Sequence, residues 1–282
     1  MHRTERIFIV TALLTVGLGL VLVLERGLAD TGTGQNGALI LLLALALVFV
    51  AAAGARWVGA NAAATGSQVA LARLPLLQIP LDVVVPGLLA GAAVVFLQFF
   101  DSGLIQGLVT LLVGAAFAGV FWAQEHSRDT GDAYFALAQT SLNLISHLAG
   151  FLLFSVLYGL KIRSLASATA VGIVTALLLF EMLSRDAAWH EAMGLPVEGR
   201  RTTLGLLATC GGIVAAELTW GLNYWAALST LVGGAFLLVV FYVLHGLASN
   251  YVDRKLNRQV LLEFGVVGTL GLAAVFASAF FS

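Results

Sequence analysis

The stretch Leu204–Leu247 decides the fold: it reads LGLLATCGGIVAAELTWGLNYWAALSTLVGGAFLLVVFYVLHGL, and Glu217 is its only charged residue. As one helix it would be about 66 Å long at 1.5 Å per residue, roughly twice the thickness of a bilayer's hydrocarbon core. The segment Trp220 to Trp225 (WGLNYW) is typical of an aromatic belt at a membrane surface. The stretch therefore predicts two membrane spans joined by a hairpin at this belt.

The composition of the whole chain agrees with a membrane protein. Of the 282 residues, 60% are hydrophobic and 10% are charged, and the mean hydropathy is +0.99. Soluble domains contain about 25% charged residues. The apolar runs are continuous, whereas strands of a membrane barrel would alternate over about ten residues. Because a helix satisfies its own backbone hydrogen bonds in lipid, we predict an all-α, polytopic transmembrane helical bundle.

The chain predicts about nine spans, with eight as the alternative, in a single integral membrane domain covering residues 1–282. The first span is read as retained, because its apolar run is long for a signal peptide and no small-residue cleavage pattern follows. Residues 55–80 contain two prolines and several polar side chains and predict an interfacial segment. The predicted spans are Ile7–Leu24, Ala38–Ala53, Val83–Phe100, a fourth that ends at Ala123, Phe135–Leu160, Ala166–Leu183, the two halves of Leu204–Leu247, and Val260–Phe281.

Lysine and arginine are distributed unequally between the two sides of this bundle. With nine spans, the positive-inside rule places the N-terminus in the cytoplasm and the C-terminus outside. Three basic residues then lie outside: Arg26, Lys161 and Arg163. The other eleven lie on the cytoplasmic side: Arg3, Arg6, Arg56, Arg73, Arg128, Arg185, Arg200, Arg201, Arg254, Lys255 and Arg258.

Glu217 and a polar stripe in the fifth span are the candidate functional residues. A carboxyl in hydrocarbon costs several kcal/mol, so Glu217 is expected to face protein or water. Gln139, Asn143 and His147 are spaced four apart and share one helix face. His147 and Glu217 lie at similar depths, about 18 to 20 Å above the inner boundary, so they can pair if the two spans touch. These residues predict a substrate-binding or proton-relay site, and the alternative is a polar cluster that fixes helix packing.

No cofactor and no metal site is predicted, and the sequence indicates no catalytic residue. His126, His190 and Glu191 are weak candidates for metal ligands, but the chain contains no HxxxH, HxxH or HExxH spacing. Cys210 is the only cysteine, which excludes an intramolecular disulfide. Glu181 is followed by Arg185 four residues later, and this spacing predicts a local ion pair at the membrane surface.

Small residues recur near four-residue spacing in three of the spans. Such stripes allow two helices to approach closely and to pack by dispersion, so we expect tight helix contacts there. The stripes are Ala168, Gly172 and Ala176 in span six, Ala208, Gly212 and Ala216 in span seven, and Gly265, Gly268 and Gly271 in span nine.

One part of the chain resembles a known group of proteins. The segments Phe180–Leu183 (FEML) and Ala216–Trp225 (AELTWGLNYW) resemble uncharacterised multi-pass membrane proteins of bacteria, those of filamentous, Chloroflexus-like lineages. The resemblance covers spans six and seven. It implies a bacterial plasma membrane as the location and implies no particular activity.

Three functions stay open at this point. The first is a transporter or permease for a small or lipid-like solute that uses the polar residues around His147 and Glu217. The second is a structural or assembly subunit of a membrane complex, and the third is a membrane-embedded enzyme acting on lipid or isoprenoid substrates. Transport is favoured over enzyme activity because the buried polar residues concentrate near the bilayer midplane. The lipid bilayer is a partner, other membrane subunits or a second copy are candidate partners, and a net charge of −1 without a basic tract argues against nucleic acid.

Overall fold

The computed structural model describes residues 3–29, 36–59, 81–160, 164–194, 201–224 and 229–281. In these ranges the chain forms nine α-helices and one short 3-10 turn, Leu81–Val83, and no strand. The all-α prediction is therefore confirmed. The helices are α1 (Arg3–Ala29), α2 (Asn36–Gly59), α3 (Val84–Leu97), α4 (Gly103–His126), α5 (Phe135–Gly159), α6 (Ser164–Ala192), α7 (Arg201–Leu222), α8 (Thr230–Val252) and α9 (Arg258–Phe281).

Among the described helices, eight are long and apolar enough to cross a membrane, and α3 is a shorter apolar helix. The predicted division of Leu204–Leu247 is confirmed, since α7 ends at Leu222 and α8 begins at Thr230. Trp220 and Tyr224 are exposed next to this hairpin, with their ring centroids 5.9 Å apart. The chain is thus a helical, multi-pass membrane protein.

Helix α6 is longer than the sequence indicated. The sequence predicts that span six ends at Leu183, whereas α6 continues to Ala192. Hydropathy cannot detect this extension, because its residues are polar while still able to form helix. A similar extension affects the predicted interfacial segment 55–80. Its first residues continue α2 to Gly59, and residues 60–80 lie outside the described part of the chain.

The described helices divide into two compact units, and the boundary between them in the chain lies within α5. The first unit contains α1 to α4 and the part of α5 that ends at Ile145. In this unit, α1 packs on α2 and α4, and α3 also packs on α2 and α4. Gln106 of α4 accepts a hydrogen bond from Arg26 at 2.5 Å and donates one to the carbonyl of Phe100 at 2.7 Å. This bond satisfies a carbonyl just beyond the end of α3, where no helical donor is available.

The second unit contains the rest of α5, from Ser146, and helices α6 to α9. A tight helix crossing in this unit joins α6 to α7 at two glycines. A Cβ built on Gly172 would lie 2.9 Å from the carbonyl oxygen of Gly212, and one on Gly212 would lie 2.6 Å from that of Gly172. The predicted small-residue stripes of spans six and seven therefore pack against each other. In the ninth helix, Gly268 and Gly271 lie against Val243 and Val239 of α8.

Candidate functional site

The extension of α6 carries a cluster of buried ionisable side chains in the second unit. Glu181, Arg185, Asp186 and His190 are 5%, 4%, 9% and 8% exposed. Their spacings of four and five residues place them on one broad face of the helix. Charged residues are rarely buried this deeply without partners, so the contacts of this face show what the cluster does.

Glu181 and Arg185 form the ion pair that their spacing predicts. The Nη1 atom of Arg185 lies 2.5 Å from Oε1 of Glu181, and both side chains are almost fully buried. The position of this pair at the membrane surface stays a prediction, and α6 continues beyond Arg185 to Ala192. The second carboxylate oxygen of Glu181, Oε2, is also buried and has no hydrogen-bond partner among the described residues.

Asp186 joins α6 to α8. Its Oδ2 atom lies 3.6 Å from Nε2 of His245, and the hydroxyl of Ser249 donates a hydrogen bond to the same oxygen at 3.3 Å. His245 and Ser249 are four residues apart, so one face of α8 presents both to the carboxylate. Leu183, Ala187 and Ala248 form an apolar cluster with Leu204 and Val252, which packs the same helix ends together.

His147 extends this arrangement to the middle of α5. Its ring centroid lies 5.4 Å from that of His245, and the two rings meet edge to face. It also contacts the rings of Phe241 and Tyr242, at 5.2 and 5.8 Å. His147 is partly buried and lies halfway along a helix of 25 residues, so the ionisable groups extend from the end of α6 to the middle of α5.

His190 and Asp253 connect the cluster to the end of α8. His190 Nδ1 lies 2.9 Å from the carbonyl oxygen of Asp186 and 3.3 Å from the carboxylate of Asp253. Asp253 caps α8 and accepts a hydrogen bond from Lys255 at 3.1 Å. The Lys255 side chain is 65% exposed. We call His147, His245, Asp186, Glu181, Arg185, His190 and Asp253 the buried ionisable network, which extends from an exposed lysine to the middle of α5.

The other residues predicted from the sequence lie in different settings. Glu217 is on an exposed face of α7, five residues before the helix ends at Leu222. That is about 7.5 Å along the axis, so the carboxylate can extend towards the level of the exposed Trp220. Gln139 is buried and Asn143 is partly buried, on the first half of α5. The pairing of Glu217 with His147 stays a prediction, and the ring contacts of His147 are with α8.

The weak metal-ligand candidates separate as follows. His126 belongs to the first unit, where its Nδ1 lies 2.7 Å from Asp132 and its ring packs on Trp122 and Tyr134. His190 belongs to the buried ionisable network, and Glu191 is exposed. Among the described residues, no group of three or more His, Cys, Asp or Glu side chains is arranged to hold a metal ion.

A second buried ion pair lies in the first unit, before α3. Asp82 Oδ2 is 2.9 Å from Nη2 of Arg128, with the side chains 11% and 13% exposed, and the Asp82 carbonyl accepts a hydrogen bond from Gln124 at 2.5 Å. Burial raises the pKa of the Asp82 carboxyl, and the Arg128 guanidinium opposes this rise. Asp82 therefore ties the start of α3 to the end of α4.

Sequence reasoning missed Asp186, a central member of the network. The available signal was the recurrence of Glu181, Arg185, Asp186 and His190 at helical spacing, which continues one face of span six beyond its predicted end at Leu183. It was overlooked because the hydropathy pattern ends at Leu183.

Comparison with known proteins identifies a family without an assigned activity. Residues 27–278 match the family described as Protein of unknown function (DUF5656). The chain belongs to this family. No curated protein and no solved structure matches the chain. Membership of DUF5656 agrees with the resemblance to uncharacterised membrane proteins, and it leaves the function to be argued from the site.

Proposed function

We propose that the protein is a proton-coupled transporter for a small or lipid-like solute, in which the buried ionisable network carries the proton. One observation carries this proposal. Contacts between α6, α8 and α5 connect an exposed lysine to a histidine in the middle of a membrane-spanning helix, and one step of this path, from His190 to Asp186, is through the main-chain carbonyl of Asp186. Such residues are expensive inside a membrane and are found where ions or protons move.

A contribution to folding stability does not by itself explain why these ionisable residues are buried. Replacing a buried ion pair with apolar side chains of similar volume is often neutral or stabilising. Helices α6, α7 and α8 already bury an apolar cluster at the same level. The network therefore supports a role in moving or binding charge.

The ionisable residues are confined to one half of the three helices. The first half of α6, from Ser164 to Phe180, contains no Asp, Glu, Lys, Arg or His, and the same is true of α8 from Thr230 to Phe241. The second half of α5, from Leu148 to Gly159, also contains none. Protons therefore enter the network from the side of Asp253, at the end of α8. Because the other halves of these helices contain no ionisable residue, a conformational change must complete a transport cycle.

Histidine suits this role because its ordinary pKa lies near neutrality, so that it gains and loses a proton at physiological pH. Glu217 stays in the proposal as a second candidate acid, together with Asn143 and Gln139 as polar residues that accompany His147 on α5. A bacterial plasma membrane is the proposed location, and it rests on the resemblance of Ala216–Trp225.

The experiment is a proton-flux assay in vesicles that contain the purified protein and a trapped pH-sensitive dye. Small organic acids, amines, sugars and isoprenoid alcohols are added one at a time from outside, without an initial pH gradient. At least one solute is expected to change the internal pH in the wild type. Asp186→Asn and His245→Gln should reduce the rate at least about tenfold, since each removes a group needed for proton transfer.

His126→Gln is the matched control, because His126 pairs with Asp132 in the first unit, outside the network. It should retain the wild-type rate. Glu217→Gln tests whether that carboxyl belongs to the same path. The proposal is wrong if no solute moves protons in the wild type, or if Asp186→Asn and His245→Gln transport as fast as His126→Gln.

A further inference from the structure

The C-terminal turn of α7 presents a carboxylate and two aromatic rings on one exposed face. Glu217, Trp220 and Tyr224 are spaced three and four residues apart, so they follow one another along this face. Trp220 and Tyr224 are 52% and 73% exposed, and their rings meet edge to face. Gly221 is exposed between them in the sequence, and a Cβ built there would meet no atom within 4 Å. The glycine therefore leaves open space beside the three side chains.

The opposite side of the same turn is fixed to neighbouring helices. The Nδ2 atom of Asn223 donates a hydrogen bond to Oγ of Ser167 on α6, at 2.9 Å. The hydroxyl of Tyr158 on α5 donates one to the carbonyl of Leu222, at 3.4 Å. Thr219 of this turn is fully buried. These contacts hold the turn from one side, so its exposed face is a fixed surface.

This face carries negative charge without a cation to balance it. Among the described residues, the carboxylate of Glu217 forms no ion pair and no hydrogen bond, and the last turn of α7 contains no basic side chain. The carbonyl groups at a helix C-terminus add a partial negative charge of about half an elementary charge. Because a carboxylate that faces lipid is unfavourable, the face is complementary to a cation.

The position of Glu217 along α7 indicates a phospholipid as the source of this cation. Leu206 and Ile213 are exposed on the same face, eleven and four residues before Glu217. They extend the face by about 16 Å towards the middle of the spanning helix. Trp220 and Tyr224, on the other side of Glu217, are typical of the level of lipid headgroups. Apolar side chains, carboxylate and aromatic rings thus follow the order of acyl chains, headgroup and membrane surface.

We propose that Glu217, Trp220 and Tyr224 form a binding site for the ammonium group of a zwitterionic phospholipid whose acyl chains lie along α7. A primary ammonium donates charge-assisted hydrogen bonds to a carboxylate, which a quaternary ammonium cannot do, whereas aromatic faces attract both. The site should therefore prefer phosphatidylethanolamine to phosphatidylcholine, and both to phosphatidylglycerol, which has no cation. The inference goes beyond the proposed function, because it concerns a lipid on an exposed helix face and not the path of a proton.

Native mass spectrometry of the full chain, purified in detergent, tests the site by counting bound lipids. The three phospholipids are added in pairs at equal concentration, and the wild type should retain phosphatidylethanolamine in preference to phosphatidylglycerol. Glu217→Gln keeps the size of the side chain and removes its charge, so it should weaken phosphatidylethanolamine binding at least about fivefold. Trp220→Leu should weaken the binding of phosphatidylethanolamine and phosphatidylcholine alike, because it removes an aromatic face that attracts both.

Glu263→Gln is the matched control. Glu263 is a second exposed carboxyl on a spanning helix, and it lies in the first half of α9, away from the C-terminus of that helix. The variant should keep the wild-type preference. Lys161 and Arg163 lie outside the described residues and shortly before Ser164, whose carbonyl accepts a hydrogen bond from Asn223 at 3.4 Å. The double variant Lys161→Gln/Arg163→Gln should bind the lipids as the wild type does.

The inference is overturned if the wild type shows no preference for phosphatidylethanolamine over phosphatidylglycerol, or if Glu217→Gln binds it as well as Glu263→Gln does. A preference that appears only in Lys161→Gln/Arg163→Gln would also overturn it, since the carboxylate would then pair with a cation of the chain itself. So would a wild-type dimer that Glu217→Gln dissociates, since the face would then contact a second copy. Lipid counting requires no solute, so its result is independent of the vesicle assay.

Discussion

At the scale of single residues, Asp82 makes the stability of the first unit depend on pH. Burial raises the pKa of its carboxyl above the ordinary value of 3.8, against the opposing effect of Arg128. The native state therefore binds this proton more tightly than the unfolded chain does. The resulting stabilisation is complete below pH 3.8 and is lost as the pH rises through the raised pKa. We expect the melting temperature of the wild type to decrease relative to that of Asp82→Asn over this window, measured by scanning fluorimetry in detergent.

Arg128→Met is the partner variant. It leaves the buried carboxylate of Asp82 without its cation, so we expect a loss of about 3 kcal/mol at neutral pH. The double variant Asp82→Asn/Arg128→Met should recover most of this loss, because the pair is removed together. A wild-type advantage over Asp82→Asn that grows with increasing pH would contradict the assignment.

The same scale shows what a sequence reveals about a site. His147 was predicted from its place in a polar stripe, and the structure brings it to His245 of α8. Glu217 attracted attention because no other charge lies nearby in the sequence, yet it is on an exposed face of α7. Asp186 lies beyond the predicted end of span six at Leu183. A charged residue that is isolated in an apolar run is recognisable in the sequence as unfavourable in lipid. Only the packing of the helices determines which of these charged residues contact one another.

At the scale of helices, the crossing of α6 and α7 depends on the absence of side chains at two glycines. A Cβ on Gly212 would lie 2.6 Å from the backbone oxygen of Gly172 and 2.9 Å from the Cβ of Ala176. Neither atom belongs to a flexible side chain, so the helices must separate. We expect Gly212→Ala to destabilise the protein by about 1 to 3 kcal/mol, measured by circular dichroism during denaturation in mixed micelles.

Gly205→Ala is the matched control on the same helix. A Cβ at Gly205 would meet no atom within 4 Å, so the change should be neutral or should stabilise α7 by up to about 1 kcal/mol through helix propensity. Equal stabilities of Gly212→Ala and Gly205→Ala would show that the crossing tolerates a wider separation.

The limits of helices were predictable where hydropathy and helix formation end together, as they do in the hairpin between Leu222 and Thr230. They were not predictable in α6, where the helix continues past Leu183 because buried partners on α8 accept its polar face. The small-residue stripes of α6 and α7 were recognisable in the sequence, but their mutual contact was not. Spacing along one helix carries no information about which helix lies opposite.

At the scale of the whole molecule, the number of crossings depends on α3. This helix has 14 residues and is about 21 Å long, shorter than a hydrocarbon core of about 30 Å. Ten of its residues are buried in the first unit, including Leu89 and Phe96. A short helix can cross when protein surrounds it, since its ends then need not reach lipid headgroups. We therefore expect α3 to cross, which gives nine spans and places the two chain ends on opposite sides.

Reporter fusions test this topology. With the N-terminus in the cytoplasm, as the excess of lysine and arginine predicts, a periplasmic alkaline phosphatase fused after Ser282 should be active and a fluorescent protein fused there should be dark. The same reporters fused after Arg128 should give the opposite result, because four crossings precede that loop. If α3 instead lies along the membrane surface, eight crossings remain and the fusions after Ser282 report the cytoplasm. Asp253, at the end of α8, faces the cytoplasm only in a topology that keeps Arg254, Lys255 and Arg258 inside. The reporters therefore also fix the side of the membrane from which protons enter the network.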